Sequence, residues 1–269
     1  MKKILFLAAL LPLSACLGAQ ADATSLLELP EAKPFINDFP NPEILQSLPP
    51  EPGDTLVILH TNLGDITLRM FPEETPIAYE NFVTHARNGY YDGVIFHRII
   101  EDFMIQTGDP QGTGMGGESI YGQGFGPEFS PELRHFRGAV GMAQSRLPNS
   151  IGSQFYIVQN SALDADTTQF FEALKEQQNE IAGENENGEP ILVSDVFPES
   201  HLQAYLDFGG TPHLDLLLSD AGHTVFAQVI DGMNVVDAIA AVQTNAQDRP
   251  LNDIIIISTS VITVSDFED

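Results

Sequence analysis

The most informative stretch of the chain is Phe96-His97-Arg98-Ile99-Ile100-Glu101-Asp102-Phe103-Met104-Ile105-Gln106-Thr107-Gly108-Asp109. Apolar and β-branched side chains dominate residues 94–100 and 103–107, which is typical of short strands. The stretch therefore predicts two strands, and it places the polar side chains of Arg98 and Gln106 within them.

The same pattern of short apolar runs and turn-rich joints continues on both sides of this stretch. Further strands are expected at residues 55–61, 66–71, 138–143, 153–159, 224–230 and 253–263. One helix is expected to begin with Thr75 as its N-cap and to end at Asn88-Gly89, and a second to span residues 233–242. About eight strands and two helices predict a mainly-β fold, an antiparallel barrel or sandwich.

Residues 165–212 break this pattern and are expected to form a helical, acidic insertion. This segment carries ten acidic residues and one lysine. Helices are expected over residues 168–182 and 198–208, with a flexible acidic loop at residues 183–190. Its role is open between selecting clients and simply adding solubility.

Charge and composition exclude several classes of protein. The 269 residues include 11 Lys and Arg and 38 Asp and Glu, a formal net charge of −27, so no nucleic-acid partner is expected. A hydrophobic content of 43% with 17 Phe excludes a disordered acidic tail. One cysteine excludes an intramolecular disulfide, and the seven histidines lack close metal-ligand spacing, so no metal site is expected.

The N-terminus carries an export signal. Met1-Lys2-Lys3 is basic and residues 4–13 are apolar, which is typical of a signal peptide over residues 1–15. Leu13-Ser14-Ala15-Cys16 resembles the bacterial lipobox, which implies cleavage before Cys16 and its acylation. Ala19-Gln20-Ala21 offers an alternative cleavage site for a soluble periplasmic protein.

Residues 16–53 are expected to form a lipid-anchored, proline-rich linker, because seven prolines follow Leu17 in this segment. A single domain is expected over residues 54–269, including the insertion. The expected location is the periplasmic side of a membrane, with the outer membrane favoured.

One glycine-rich motif does not support nucleotide binding. Gly112, Gly114 and Gly117 match G-x-G-x-x-G after an expected strand. The residues that follow are too rich in glycine for the helix that would bind a pyrophosphate. A loop that lets the backbone approach a ligand or a neighbouring strand is the better interpretation.

Taken with residues 116–122, 141–144, 152–157 and 223–229, the opening stretch resembles the cyclophilin family of peptidyl-prolyl cis/trans isomerases. The resemblance covers residues 54–269 apart from the insertion. It implies an eight-stranded antiparallel barrel capped by two helices. It also implies an isomerase of X-Pro bonds that needs no cofactor, takes proline-containing polypeptide clients and acts as a monomer.

The resemblance also assigns residues to roles. It makes Arg98, Gln106 and Phe103 catalytic. The residues that it places at substrate are Met104, Gly114, Ala143, Gln144, Ser145, Gln154, Tyr156, His213, Leu214 and His223. In many family members Tyr156 is a phenylalanine, Gln144 an asparagine and His213 a tryptophan. The alternative function is a non-catalytic chaperone or adaptor that uses the same fold to bind proline-containing segments.

Overall fold

The computed structural model describes residue 33 and residues 35–185, 187–215 and 222–265, and its centre is a curled antiparallel sheet. The strands in these ranges are β1 (Thr55–Thr61), β2 (Gly64–Met70), β3 (Arg98–Ile100), β4 (Met104–Thr107), β5 (Ala139–Met142), β6 (Phe155–Val158), β7 (Ile181–Glu184), β8 (Pro190–Leu192), β9 (Val225–Asp231) and β10 (Ile256–Thr263). The helices in the same ranges are α1 (Pro76–Arg87), α2 (Ala165–Glu176), α3 (Val193–Val196), α4 (Glu199–Phe208) and α5 (Met233–Ala240).

Eight of the strands form one sheet in the order β10-β1-β2-β9-β5-β6-β4-β3, and every neighbouring pair is antiparallel. The sheet curls until its edges meet: the Gly93 amide donates to the Ile256 carbonyl at 2.8 Å, and Ile95 bridges Ile255. This joining covers the exposed backbone groups of the edges. The predicted mainly-β antiparallel barrel is confirmed, and α1 and α5 lie where helices were expected.

The interior of the sheet is filled by apolar side chains from both its strands and α1. Phe82 of α1 lies at the centre, with ring centroids 5.0 Å from both Phe155 and Phe226 and 5.3 Å from Tyr91. Truncating such a fully buried phenylalanine to alanine costs about 3–5 kcal/mol. The helix is therefore part of the core that supports the sheet.

The N-terminus of α1 is capped differently from the sequence-based expectation. Thr75 holds the N-cap position, but its side chain makes no cap hydrogen bond and donates to the Phe71 carbonyl instead. The carboxylate of Glu128 accepts from the amides of Ile77 and Ala78 at 3.1 and 2.8 Å. A distant acidic residue thus satisfies the free N–H groups and complements the helix dipole.

The insertion differs from expectation at its centre. Helix α2 begins earlier than predicted, because Asp164 caps it by accepting from the Thr167 amide at 2.8 Å. The helix ends at Glu176, and the expected acidic loop is the hairpin β7–β8. Its turn is organised by Asn185, whose side-chain oxygen accepts from the Asn187 and Glu189 amides. Such local bonds allow a strongly charged segment to form strands.

The linker expectation is wrong for its second half. Ile36 and Ile44 are buried, in or beside two short 3-10 turns over Ile36–Asp38 and Leu45–Ser47. The Gln46 amide donates to the Arg134 carbonyl at 3.0 Å and to the Gln228 side chain at 2.9 Å. From residue 35 onward the chain therefore packs on the domain, because apolar residues between the prolines have core positions to fill. Cys16 and the signal peptide lie outside the described residues.

The packed N-terminal segment and the insertion share a second hydrophobic cluster. Its buried members are Ile36, Ile44, Phe136, Phe171, Leu174, Val193, Leu202, Ala204 and Tyr205. Because Phe136 lies three residues before the first residue of the barrel strand β5, this cluster joins the insertion to the barrel. None of the helices in the described part of the chain has the length and apolarity needed to cross a membrane.

The buried imidazole of His201 makes this cluster sensitive to acid. His201 lies on α4 with its ring 5.8 Å from that of Phe136, and burial followed by the nearby charge of Arg134 lowers its pKa to about 4. In the unfolded chain histidine titrates near pH 6.5. Between these values the unfolded state binds more protons, so the folded state loses stability as the pH falls.

We expect the free energy of unfolding to fall between pH 7 and pH 4.5, with His201 contributing roughly 2–3 kcal/mol of that loss. In His201→Phe this portion should disappear, since phenylalanine fills a similar volume and does not titrate. Urea unfolding of both proteins at the two pH values measures the difference. An identical pH dependence in wild type and variant would contradict the assignment.

Candidate active site

A small apolar cavity of about 130 Å³ opens on the outer face of strands β3, β4 and β6. Side chains alternate along each strand, so residues two apart share a face. In β4 and β6, Ile105 and Ile157 point into the barrel core and are fully buried. Met104, Gln106 and Tyr156 therefore point to the opposite face, where the cavity lies.

Nine side chains line this cavity, and the sequence analysis named all of them. They are Arg98, Phe103, Met104, Gln106, Ala143, Gln144, Tyr156, Leu214 and His223. Strand register brings several together directly: Gln106 of β4 pairs with Arg98 of β3 on one side and with Tyr156 of β6 on the other. Residues 58 positions apart in the chain, Arg98 and Tyr156, thus flank one glutamine.

Arg98 stands at the exposed edge of the cavity, and its side chain is 42% exposed. Its Nε atom lies 3.7 Å from the Asp248 carboxylate, in a loose and partly exposed ion pair. A guanidinium carries five N–H donors in a rigid plane, so donors remain for a ligand after this contact.

Gln106 is held by a chain of amide hydrogen bonds. Its Nε2 donates to Gln154 Oε1 at 2.9 Å, and Gln154 Nε2 donates to the Gly116 carbonyl at 2.7 Å. Both side-chain amides are therefore oriented by the protein before any ligand binds. Preorganised polar groups of this kind avoid reorganisation costs when a reaction takes place.

A second, larger cavity of about 440 Å³ adjoins the first and shares Gln106, Ala143 and Gln144 with it. The remaining lining residues named in the sequence analysis are Gly114, Ser145 and Gln154. The Ser145 amide donates to Ser150 Oγ at 2.9 Å, which holds the loop after β5 in place. The two cavities together form a groove across the strand ends.

The glycine-rich loop that borders the second cavity folds around the carboxylate of Asp109. Its oxygens accept from the amides of Gln111, Thr113, Gly114 and Gly116. Burial alone would raise the pKa of Asp109, but these hydrogen bonds outweigh it and lower the pKa. In the described chain residues 118–124 form no helix, so the motif is a loop that lines the second cavity.

His213 is the one described candidate that lines neither cavity. It is exposed and stacks on Phe103, with ring centroids 5.6 Å apart. His213 therefore packs on the outer side of the Phe103 ring, which is part of the cavity wall. Cys16 lies outside the described residues.

His223 forms the far wall of the small cavity. Its ring meets that of Tyr156 edge-on at 5.9 Å. Burial, with the neighbouring His135, lowers the pKa of His223 below its usual value, so the imidazole is neutral near pH 7. A neutral ring keeps this wall compatible with an apolar ligand.

Sequence reasoning missed the polar network beneath the cavity. The hydroxyl of Tyr156 lies 2.8 Å from Nε2 of His135, whose Nδ1 lies 2.7 Å from the carboxylate of Asp215. Tyr205 of α4 donates a short hydrogen bond to the same carboxylate. The sequence signal that could have indicated this network is Tyr156, because a buried tyrosine hydroxyl requires a hydrogen-bond partner.

The lining of the two cavities supplies apolar surface, one guanidinium and the three oriented side-chain amides of Gln106, Gln144 and Gln154. Such groups bind and polarise a ligand without forming a covalent bond to it. Within residues 35–185, 187–215 and 222–265, no three His, Cys, Asp or Glu side chains are grouped as metal ligands. The cavity suits a small apolar ring next to a polar backbone.

Comparison with known proteins gives a family model and several relatives that this chain matches. The family model "Cyclophilin type peptidyl-prolyl cis-trans isomerase/CLD" matches residues 56–261. A Staphylococcus haemolyticus protein named "Putative peptidyl-prolyl cis-trans isomerase" is 46% identical over 205 residues, covering 76% of this chain and 90% of the relative. A Staphylococcus aureus protein of the same name is 45% identical over 209 residues, covering 78% and 92%.

Solved structures of this class of isomerase are also similar to the chain. A crystal structure of a Cryptosporidium parvum cyclophilin type peptidyl-prolyl cis-trans isomerase aligns with a TM-score of 0.56 and 28% identity, over 78% of this chain and 98% of that one. A second crystal structure of that protein, in the presence of the dipeptide Ala-Pro, aligns with a TM-score of 0.55 and 28% identity, over 77% and 99%.

Proposed function

Because this chain belongs to the cyclophilin family of peptidyl-prolyl cis-trans isomerases, we propose that it catalyses X-Pro rotation in proteins that fold after export. The enzyme class follows from the family, whereas the clients, the location and the roles of individual residues are our proposal. The observation that carries these roles is the small apolar cavity with Arg98 and Gln106 paired across β3 and β4 beside it.

The reaction is a rotation about one bond. Amide resonance sets a barrier of about 18–20 kcal/mol, and uncatalysed exchange at X-Pro takes roughly tens to hundreds of seconds. In the twisted transition state the proline nitrogen regains a lone pair that the planar amide lacks. A donor that bonds this lone pair stabilises the transition state more than the ground state, which is the condition for catalysis.

Each part of the groove has a proposed task in this rotation. The proline ring enters the small cavity against Phe103, Met104 and Leu214, and Arg98 donates to the proline nitrogen as the amide twists. Gln106 orients the substrate carbonyl and the guanidinium, supported by its bond to Gln154. No covalent intermediate is required.

The second cavity is proposed to hold the residues that precede proline. The Ala143 amide is already used by the Gln154 carbonyl at 2.9 Å, and the Ser145 amide by Ser150 Oγ at 2.9 Å. The main chain of Gln144, held between these two anchors, is the proposed partner of the substrate backbone. The relative solved in the presence of Ala-Pro supports a proline dipeptide as the minimal ligand.

We expect Arg98→Ala to lower kcat/KM for an Ala-Pro peptide by about 10²-fold, the usual cost of removing one transition-state donor. Arg98→Lys should recover only part of this loss, because lysine lacks the planar fork. Arg87→Ala, which removes an exposed arginine of α1, is the matched control and should keep wild-type activity.

The measurement is isomerisation of the peptide together with refolding of a protein limited by proline isomerisation. Loss in both assays for Arg98→Ala alone supports the catalytic role. If that variant keeps wild-type rates in both, the assignment of Arg98 fails. If the wild-type protein accelerates neither reaction, a chaperone or adaptor role is favoured instead.

The proposed location depends on the N-terminus. We infer that cleavage before Cys16 and its acylation attach the protein to the periplasmic side of a membrane, preferably the outer membrane. The packing of residues 35–48 on the domain leaves residues 16–34 as the stretch between lipid and enzyme. Proline-containing clients are then exported polypeptides met at that surface by a monomeric enzyme, and the net charge of −27 disfavours nucleic acid.

The lipid anchor predicts that the protein, expressed with its own leader in a Gram-negative host, incorporates labelled palmitate and sediments with membranes. Cys16→Ser should lose the label, while the matched control Ser25→Ala should keep it. A wild-type protein that is unlabelled, soluble and begins after Ala21 would instead establish ordinary secretion.

A further inference from the structure

We propose that the insertion sets the shape of the proline cavity through a buried chain of four side chains, Tyr205, Asp215, His135 and Tyr156. In this chain Tyr205 of α4 is a positioning residue for the isomerase reaction. The inference rests on the proposed assignment of Tyr156 to the proline cavity. It gives the insertion a defined mechanical role that its acidic composition did not indicate.

Asp215 fixes the direction of the hydrogen bonds that it accepts. Its carboxylate accepts from the His135 amide at 3.0 Å, from His135 Nδ1 at 2.7 Å and from the hydroxyl of Tyr205. A carboxylate only accepts, so Nδ1 of His135 carries a proton. Nε2 of the same ring lies 2.8 Å from the Tyr156 hydroxyl, and this hydrogen bond continues the chain to the cavity.

The tyrosines at both ends remain protonated donors. Burial and then the charge of Asp215 raise the pKa of Tyr156 well above its ordinary value, and the same causes raise that of Tyr205. The relative exposure of each of the four residues is 7% or less. Hydrogen bonds in such a water-excluded setting are strong, and a partner that is lost is not replaced by solvent.

The cavity end of the chain fixes a wall of the proposed binding site. The Tyr156 ring lies directly over Gly141, where any side chain would collide with it. On its other sides it stacks with His135 and meets His223 edge-on. The bond from its hydroxyl to His135 therefore selects one ring position.

The other end is embedded in the insertion. The Tyr205 ring centroid lies 4.6 Å from that of Phe136 and 5.5 Å from that of Phe171 on α2. A shift of α2 and α4 moves the Tyr205 hydroxyl, and Asp215 and His135 pass that shift to Tyr156. The coupling is a contiguous set of hydrogen bonds between rigid, packed groups.

We expect Tyr205→Phe, which keeps the ring packing, to raise KM for an Ala-Pro peptide roughly fivefold, within the range measured for residues along coupling networks. We expect kcat to stay within about twofold of wild type, because a cavity wall contributes to ground-state and transition-state binding alike. Tyr79→Phe is the matched control: its hydroxyl bonds Thr55 at 3.0 Å, away from the groove.

A double-mutant cycle separates transmission from a general structural effect. In a Tyr156→Phe background, where the chain is cut at the cavity, Tyr205→Phe should have no further effect on KM. If Tyr205→Phe raises KM equally in both backgrounds, or in neither, the proposal is overturned. Loss of kcat on Arg98→Ala tests the proposed function separately, so either idea can fail alone.

A measurement on the wild-type protein tests the chain without any variant. Nitrogen-15 NMR of the histidine side chains should show a proton on Nδ1 of His135, as its hydrogen bond to Asp215 requires. An unprotonated Nδ1 at neutral pH would remove that bond, break the chain and overturn the proposal.

Discussion

The pairing of β4 with β6 is the constraint on which the rest of the molecule depends. Each strand has one face built for the core and one built for the groove. Ile105 and Ile157 point inward and are fully buried, while Gln106 and Tyr156 sit opposite each other on the outer face. A shift of one residue would move the isoleucines to the groove and the polar groups into the core. Because that exchange would lower the free energy of unfolding, the register between β4 and β6 is fixed.

The site is built on strands but oriented by loops. The carboxylate of Asp109 gathers the amides of the glycine-rich loop, and that loop presents the Gly116 carbonyl to Gln154, which in turn holds Gln106. Asp109 lies just beyond the end of β4, and through this loop it controls the orientation of the Gln106 amide. This organisation suits a reaction that needs positioning and electrostatics rather than a nucleophile.

The insertion and the N-terminal segment add a second hydrophobic core next to the core of the barrel. Ile36 and Ile44 from before the first strand and Phe171 and Tyr205 from the insertion cover Phe136. Removing either segment would expose apolar side chains of the other, because both pack in the same cluster. The same cluster holds Tyr205 against Asp215, which gives the second core a polar contact to the floor of the groove.

The sequence by itself determined the strands and the residues of the groove. Alternation and turn residues identify β4 and β6, and the order of motifs brings Arg98, Gln106 and Tyr156 into one family pattern. Only the tertiary structure decided which distant groups satisfy buried polar atoms. Glu128 replaces Thr75 as the cap of α1, Gln46 pairs with Gln228, and Tyr205 reaches Asp215. Hydrophobic periodicity is a local signal carried by the strand itself, whereas a hydrogen bond between residues far apart exists only after the chain has folded.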